Sequence, residues 1–314
     1  MCTSPILFLI FNRPDNTARV FNAIRKARPT KLYVAADGPR PGNASDADLC
    51  ARTRDEIKVD WDCELHLLFR DENLGCKNAV SSAIDWFFKQ EPEGIVLEDD
   101  CLPNSSFFRF CDEMLKRYRH DERVMMVSGD NFQPKELRPA HSYYFSTYAN
   151  IWGWASWRRA WVHYDVNIKL WPTVKEKKIH RMFSESELMP EFWEMILQDI
   201  YDGKLNTWDY QWNFACKINH GLSIVPKYNL ISNIGVGAAS THTDESMESF
   251  SELETQELEF PLTHPQFMYP DKDADKRLVK LHYHHLKKLR YRHILKKKLP
   301  NNVLRLLTKL KQKS

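Results

Sequence analysis

Gly94-Ile95-Val96-Leu97-Glu98-Asp99-Asp100 is a short apolar run that ends in three consecutive carboxylates, and no other segment constrains the fold as tightly. A run of this length, apolar at every position, suits a strand buried on both faces in the middle of a parallel sheet. Acids repel one another and are seldom fully buried without a partner. Three in a row at a strand's end therefore either turn into solvent before Pro103 or hold a cation. Carboxylate oxygens are hard ligands suited to Mg²⁺ or Mn²⁺, which bind through one or two carboxylates together with a substrate's phosphates. Taken alone, the segment leaves both readings open.

The pattern around it alternates. Ile6-Leu7-Phe8-Leu9-Ile10-Phe11 is a second continuous apolar run, and residues 16–28 then put Val20, Phe21 and Ile24 on one helical face. Strands are predicted at 32–36, 65–69, 94–97 and 124–127. Helices are predicted at 47–59, at 76–89 with Val80, Ile84, Phe87 and Phe88 on one face, and at 105–119. Repeated strand-helix-strand units predict an α/β fold with a mixed, mainly parallel sheet flanked by helices. In such sheets ligands gather outside the carboxyl ends of the strands, where Asn12-Arg13, Asp37-Gly38 and Glu98-Asp99-Asp100 would converge. Neither a G-x-G-x-x-G after the first strand nor a phosphate-binding G-x-x-x-x-G-K-[ST] loop occurs. Phosphate would have to be neutralised by a metal and basic side chains.

With 314 residues and 43% hydrophobic content, the chain can bury one large core with an appended element, or two modest domains. Its seven cysteines, an odd number without a C-x-x-C pair, give neither a disulfide framework nor zinc-ligand spacing, which makes a reducing, cytoplasmic location the expectation. The apolar segment 6–11 is too short for a signal-peptide core or a membrane span and has no basic flank, so a soluble or peripheral protein is expected. The net charge of +3 conceals an asymmetry: residues 276–314 hold 14 Lys and Arg and no acid, leaving 31 basic against 42 acidic residues in the remainder. Pro261, Pro265 and Pro270 punctuate the approach, and the expected division is 1–270 for the body and 271–314 for a basic helical extension. Leucines from Leu278 to Leu310 keep helical spacing among the cations. This pattern favours an anionic membrane surface, with packing on the acidic body as the plainer alternative. No nucleic-acid-binding module is recognisable.

In order along the chain, Phe11-Asn12-Arg13-Pro14, Ala36-Asp37-Gly38, Asn73-Leu74-Gly75 and Val96-Leu97-Glu98-Asp99-Asp100 resemble the nucleotide-sugar-binding half of a GT-A glycosyltransferase. More narrowly, the chain resembles N-acetylglucosaminyltransferase I and related bacterial polysaccharide glycosyltransferases. The resemblance continues through Phe107-Phe108-Arg109-Phe110, Val127-Ser128-Gly129-Asp130-Asn131 and Gly153-Trp154 to Trp208-Asp209-Tyr210-Gln211-Trp212. It implies a GT-A fold and an inverting hexosyltransferase that uses Mn²⁺ or Mg²⁺, favours a UDP-sugar, and acts on a saccharide or lipid-linked saccharide in surface polysaccharide synthesis. The implied place is peripheral, on the inner face of the cytoplasmic membrane.

The same resemblance distributes roles. Asp37 would accept a hydrogen bond from the base, Asn12 and Arg13 would lie near the nucleotide or its diphosphate, and Lys77 could help hold the diphosphate. Glu98 and Asp99 would face sugar and ribose hydroxyls, and Asp100 would bind the metal. Asp209 is the candidate general base, since the bulky aromatics around it could exclude water and raise its pKa; it could equally be an acid opening a helix. Four tryptophans fall within residues 151–161, and Trp154 is the candidate sugar platform, with core packing as the competing role. His242, beyond a glycine-containing loop, is either a metal ligand or an ordinary loop residue. Two other functions fit parts of the pattern. A nucleotidyltransferase would need a Gly-rich basic loop where Asn12-Arg13-Pro14-Asp15 stands, and a noncatalytic sugar-nucleotide-binding assembly protein would bind donor without turnover.

Overall fold

The computed structural model describes residues 2–186, 189–235 and 253–281. In chain order its elements are β1 (Ile6–Ile10), α1 (Pro14–Ala27), β2 (Lys31–Ala36), α2 (Ala44–Asp55), β3 (Glu64–Phe69), α3 (Gly75–Gln90), β4 (Glu93–Glu98), β5 (Cys101–Pro103), α4 (Ser105–Tyr118) and β6 (Val124–Ser128). There follow β7 (Tyr143–Ser146), β8 (Trp154–Trp157), α5 (Arg158–Trp161), α6 (Trp171–Glu176), α7 (Met189–Tyr201), α8 (Asp209–Ile218), β9 (Leu222–Pro226), β10 (Ile231–Asn233) and α9 (Lys272–Leu281).

Eight strands form one sheet in the order β3-β2-β1-β4-β8-β6-β9-β7. β1 is apolar at every position because it is paired on both sides and covered on both faces. Its Phe8 lies opposite Val34 of β2 and Leu97 of β4, both in parallel register, and all five of its residues are buried. β3 extends this parallel block to the sheet's edge. Beyond β4 the direction changes: β8 runs antiparallel to both β4 and β6, β9 is parallel to β6, and β7 is antiparallel to β9. The expected fold class, a mixed and mainly parallel sheet flanked by helices, is the one observed.

The Trp-rich segment becomes β8, a strand that periodicity did not reveal. Alternation along it sends Trp154 into the core layer under α3, α5 and α8, and Trp157 into the layer under α1 and α4. Burying an aromatic side chain of this kind contributes roughly 1.5–3 kcal/mol. A third cluster joins α6, α7 and α8 through Trp171, Trp193 and Phe214. Helix α9 packs on the body with Ala274, Leu278 and Val279 buried. The Asp275 carboxylate accepts from Ser146 Oγ at 2.5 Å, Thr147 N at 3.0 Å and Thr147 Oγ1 at 2.7 Å. Residues 282–314, which carry most of the expected basic extension, lie outside the described residues. Among the described residues no helix is long and apolar enough to cross a membrane.

Candidate active site

β1 and β4 are parallel neighbours, so the residues that follow them leave the sheet at the same edge. Arg13 is the N-cap residue of α1, ahead of Pro14 in the first turn. Its Nη1 donates to Asp99 Oδ1 at 3.1 Å and to Asp100 Oδ2 at 3.0 Å. The chain leaving β10 closes over the same acids: Ile234 N donates to the Asp100 carbonyl at 2.8 Å, and Asn16 Nδ2 donates to the Ile234 carbonyl at 3.2 Å. A Cβ at Gly235 would fall 2.5 Å from Asp100 Oδ2, so only glycine permits this approach.

The charges do not balance. Glu98 is held well above the usual carboxylate range by burial, by Asp100 and Asp99, and by Asp209, with Arg13 opposing. Asp99 is pushed up to about 7 by burial, against the pull of Arg13 and with Asp100 adding to the rise. Burial alone would lower the Arg13 pKa, but Asp99 and Asp100 carry it upward. Asp209 enters this field because α8 opens at the same edge, and the Thr207 hydroxyl donates to its Oδ1. The Cys76 thiol, in the first turn of α3, is raised to about 12 by burial and then by Glu98, Asp209, Asp37 and Asp100. These mutual effects place the acids of two strand ends and one helix start near one another. Such a cluster suits a cation. Among the described residues no three His, Cys, Asp or Glu side chains form a ready cage, which is compatible with an ion that takes one or two carboxylates and completes its shell with phosphate and water.

Asp37 is 8% exposed and its oxygens serve the backbone. They accept from Gly38 N at 3.0 Å, Leu74 N at 3.0 Å and Gly75 N at 3.1 Å. The N–H groups of Leu74 and Gly75, at and just before the start of α3, need outside partners. Asn206 caps the same helix from the loop before α8, its Oδ1 accepting from Lys77 N at 3.0 Å. Sequence reasoning missed Asn206, and no local signal could have found it, because its partner lies 129 positions away. Asn12 turns toward α2, donating from Nδ2 to Asp46 Oδ1 at 3.0 Å. Arg40 grips the same carboxylate and, with burial opposing, brings Asp46 down to about 2. Lys77 is half-buried in the first turn of α3.

Trp154 is not at the surface of this site. It is fully buried, stacked on Trp208 with ring centroids 5.9 Å apart and flanked by Trp161 and Trp212. Packing on these three rings and complete burial leave no open ring face for a sugar. His242 lies outside the described residues.

No family model matches the chain, and no curated protein matches it. Solved structures resemble its trace weakly. The mannosyltransferase PcManGT from Pyrobaculum calidifontis, in complex with GDP-Man and Mn²⁺, is 12% identical over 70% of this chain and 70% of that one, with a TM-score of 0.40. A UDP-glucose pyrophosphorylase complexed with UDP-glucose is 9% identical over 74% of this chain and 94% of that one, with a TM-score of 0.37. Mouse xyloside xylosyltransferase 1 in its apo form is 11% identical over 68% and 81%, with a TM-score of 0.32.

Proposed function

We propose that the chain is a GT-A-type glycosyltransferase that moves a sugar from a nucleoside diphosphate donor, most readily a UDP-sugar, to a hydroxyl of a saccharide or lipid-linked saccharide. The observation that carries this reading is the meeting of Glu98, Asp99 and Asp100 beside the guanidinium of Arg13 at the carboxyl edge of the sheet, with the Asp209 carboxylate acting on Glu98. Asp100, with Asp99 beside it, would hold Mn²⁺ or Mg²⁺. When bound, such an ion supplies charge compensation for a diphosphate leaving group. Arg13 keeps both carboxylates in register, and Glu98 offers an acceptor to sugar hydroxyls. Asp209 takes the proton of the acceptor hydroxyl as that oxygen bonds to the anomeric carbon; the bond to the diphosphate breaks with its electron pair, and configuration inverts. Thr207 orients the Asp209 carboxylate for this task.

Calorimetry with UDP, followed by a panel of sugar nucleotides and Mn²⁺, tests the reading. Asp100→Ala should abolish the metal-enhanced part of nucleotide binding while the far-ultraviolet spectrum stays native, because a half-exposed edge residue adds little to packing. Unchanged metal-dependent binding refutes the assignment. The basic residues beyond Leu281 are proposed to hold the enzyme on an anionic membrane surface, at about 1 kcal/mol per Lys or Arg near the headgroups. Since α9 packs on the body, the deletion that tests this begins at residue 282 and should abolish sedimentation with phosphatidylserine vesicles while UDP binding persists.

A further inference from the structure

Two strand registers meet at Trp152. β8 is antiparallel to β4 with Val96 opposite Trp154, and antiparallel to β6 with Ser128 opposite Trp154. Two residues upstream, the same registers carry Trp152 to the level of Glu98 on one side and Asp130 on the other. A reversed strand thus brings its beginning to the edge where its neighbours end. Gly153, at φ +63°, allows the sharp turn between Trp152 and the buried strand; a Cβ there would lie 2.6 Å from Ile231 Cδ1. Of the tryptophans in this segment, Trp154, Trp157 and Trp161 are 0%, 1% and 4% exposed, whereas Trp152 is only half-buried and packs in part against the core that contains Trp157. The Trp152 ring meets half-exposed Phe132 edge to face, with centroids 5.2 Å apart and an interplanar angle of 72°.

Asp130 fixes this arrangement. It is 1% exposed, and its Oδ2 accepts from Trp152 N at 3.3 Å. Its buried Oδ1 has no well-formed hydrogen bond among the described residues, although the Asn150 side chain lies within interaction range of the carboxyl.

We infer that Trp152, braced by Phe132 and positioned by Asp130, is the wall on which the sugar ring of the acceptor stacks, next to the carboxylates that bind the donor. The inference rests on the transferase reading above. A flat aromatic face with limited rotamer freedom offers apolar area to the C–H face of a pyranose at small entropic cost, while the neighbouring acids take its hydroxyls.

The probe is a set of methyl β-pyranosides of glucose, galactose, mannose and N-acetylglucosamine, observed by saturation-transfer NMR on full-length protein with UDP and Mn²⁺ present. The wild type should saturate the C–H face of at least one glycoside. Trp152→Ala and Trp152→Leu should cut that signal at least fivefold, Trp152→Phe should keep part of it, and UDP affinity should stay within twofold in all three. Asp130→Ala should weaken the glycoside signal, and Asp130→Asn, which keeps an oxygen for Trp152 N, should restore it. A Trp152→Leu protein that saturates the glycosides like the wild type overturns the inference, as does a wild type that binds UDP yet saturates none. A wild type that fails to bind UDP removes the transferase reading and the inference together.

Discussion

The two flanks of β4 reach the site by different routes. On one side, β1, β2 and β3 are parallel and joined by helices, so each strand ends at the same edge and delivers whatever follows it: Arg13 after β1, Asp37 after β2, the acids after β4. On the other side, β8 is reversed and contributes the residue before it rather than after it. The parallel flank therefore brings charge and the reversed flank brings shape, with Trp152 and the Gly153 turn. The difference teaches that the direction of a strand decides which of its flanking residues reaches that edge.

If chemistry belongs to the acids and shape to the reversed flank, the largest effect should come from Asp209. Asp209→Asn should retain UDP and Mn²⁺ affinity yet lower turnover by roughly 10²-fold or more, since the amide keeps the volume but takes no proton. Single-turnover transfer to the best acceptor of the panel would measure it, and NMR of the product should show an anomeric configuration opposite to the donor's. Near-normal turnover would move the base elsewhere, and a retained configuration would end the single-displacement mechanism.

Next in size is the ion pair that holds the parallel flank together. Removing Arg13 leaves Asp99 and Asp100 without their guanidinium partner, and a charge-assisted hydrogen bond is worth about 1.5–3 kcal/mol. Arg13→Ala should lose stability on that scale in urea, and Mn²⁺ with UDP should return part of it. Arg13→Lys should recover part of the loss, because a single nitrogen, Nη1, makes both bonds and an ammonium also carries more than one N–H donor. A stability loss that Mn²⁺ with UDP does not diminish would argue against a cation at the acids.

The same contrast explains how much could be read in advance. Continuous apolar runs such as Ile6–Ile10 and the helical face of Val20, Phe21 and Ile24 announce themselves, because strand and helix periods act over neighbours. The convergence of Arg13 with Asp99 and Asp100 then follows from topology alone. β8 did not announce itself: a four-residue strand made of Trp, Ala, Ser and Trp has no length over which alternation shows. For that reason the sequence does not separate Trp152 from Trp154, which differ by burial and not by type. Asp37 suggested a ligand contact, whereas its hydrogen bonds in the structure go to Gly38, Leu74 and Gly75. Asn206 gave no signal because capping across such a separation is a tertiary event.

That long-range cap offers a smaller test. Asn206 ties the loop that carries Asp209 to the first turn of α3, and losing a cap of this type costs about 1 kcal/mol. Asn206→Ala should lower the urea midpoint by a corresponding amount and reduce turnover more than UDP affinity, because the base side shifts relative to the donor side. Equal losses in both would show that Asn206 only supports the fold.

The smallest expected effect is a gain. Burial holds Asp130 protonated well above the usual carboxylate range, while in the unfolded chain it ionises near 3.8. Between those two values the native state binds more protons than the unfolded one, so the group's contribution to stability falls as pH rises through that window. Asparagine has no proton to lose and keeps an oxygen for Trp152 N. Asp130→Asn should therefore raise the melting temperature by a few degrees at pH 7, and the gain should shrink as the pH falls and vanish below about pH 3, where the wild-type carboxyl is protonated in both states. A gain that stays constant across this range would mean that the carboxyl is not the group being relieved. A loss at pH 7 would mean that its charge is needed on the reversed flank, which would erase the division between a charged side and a shaped one.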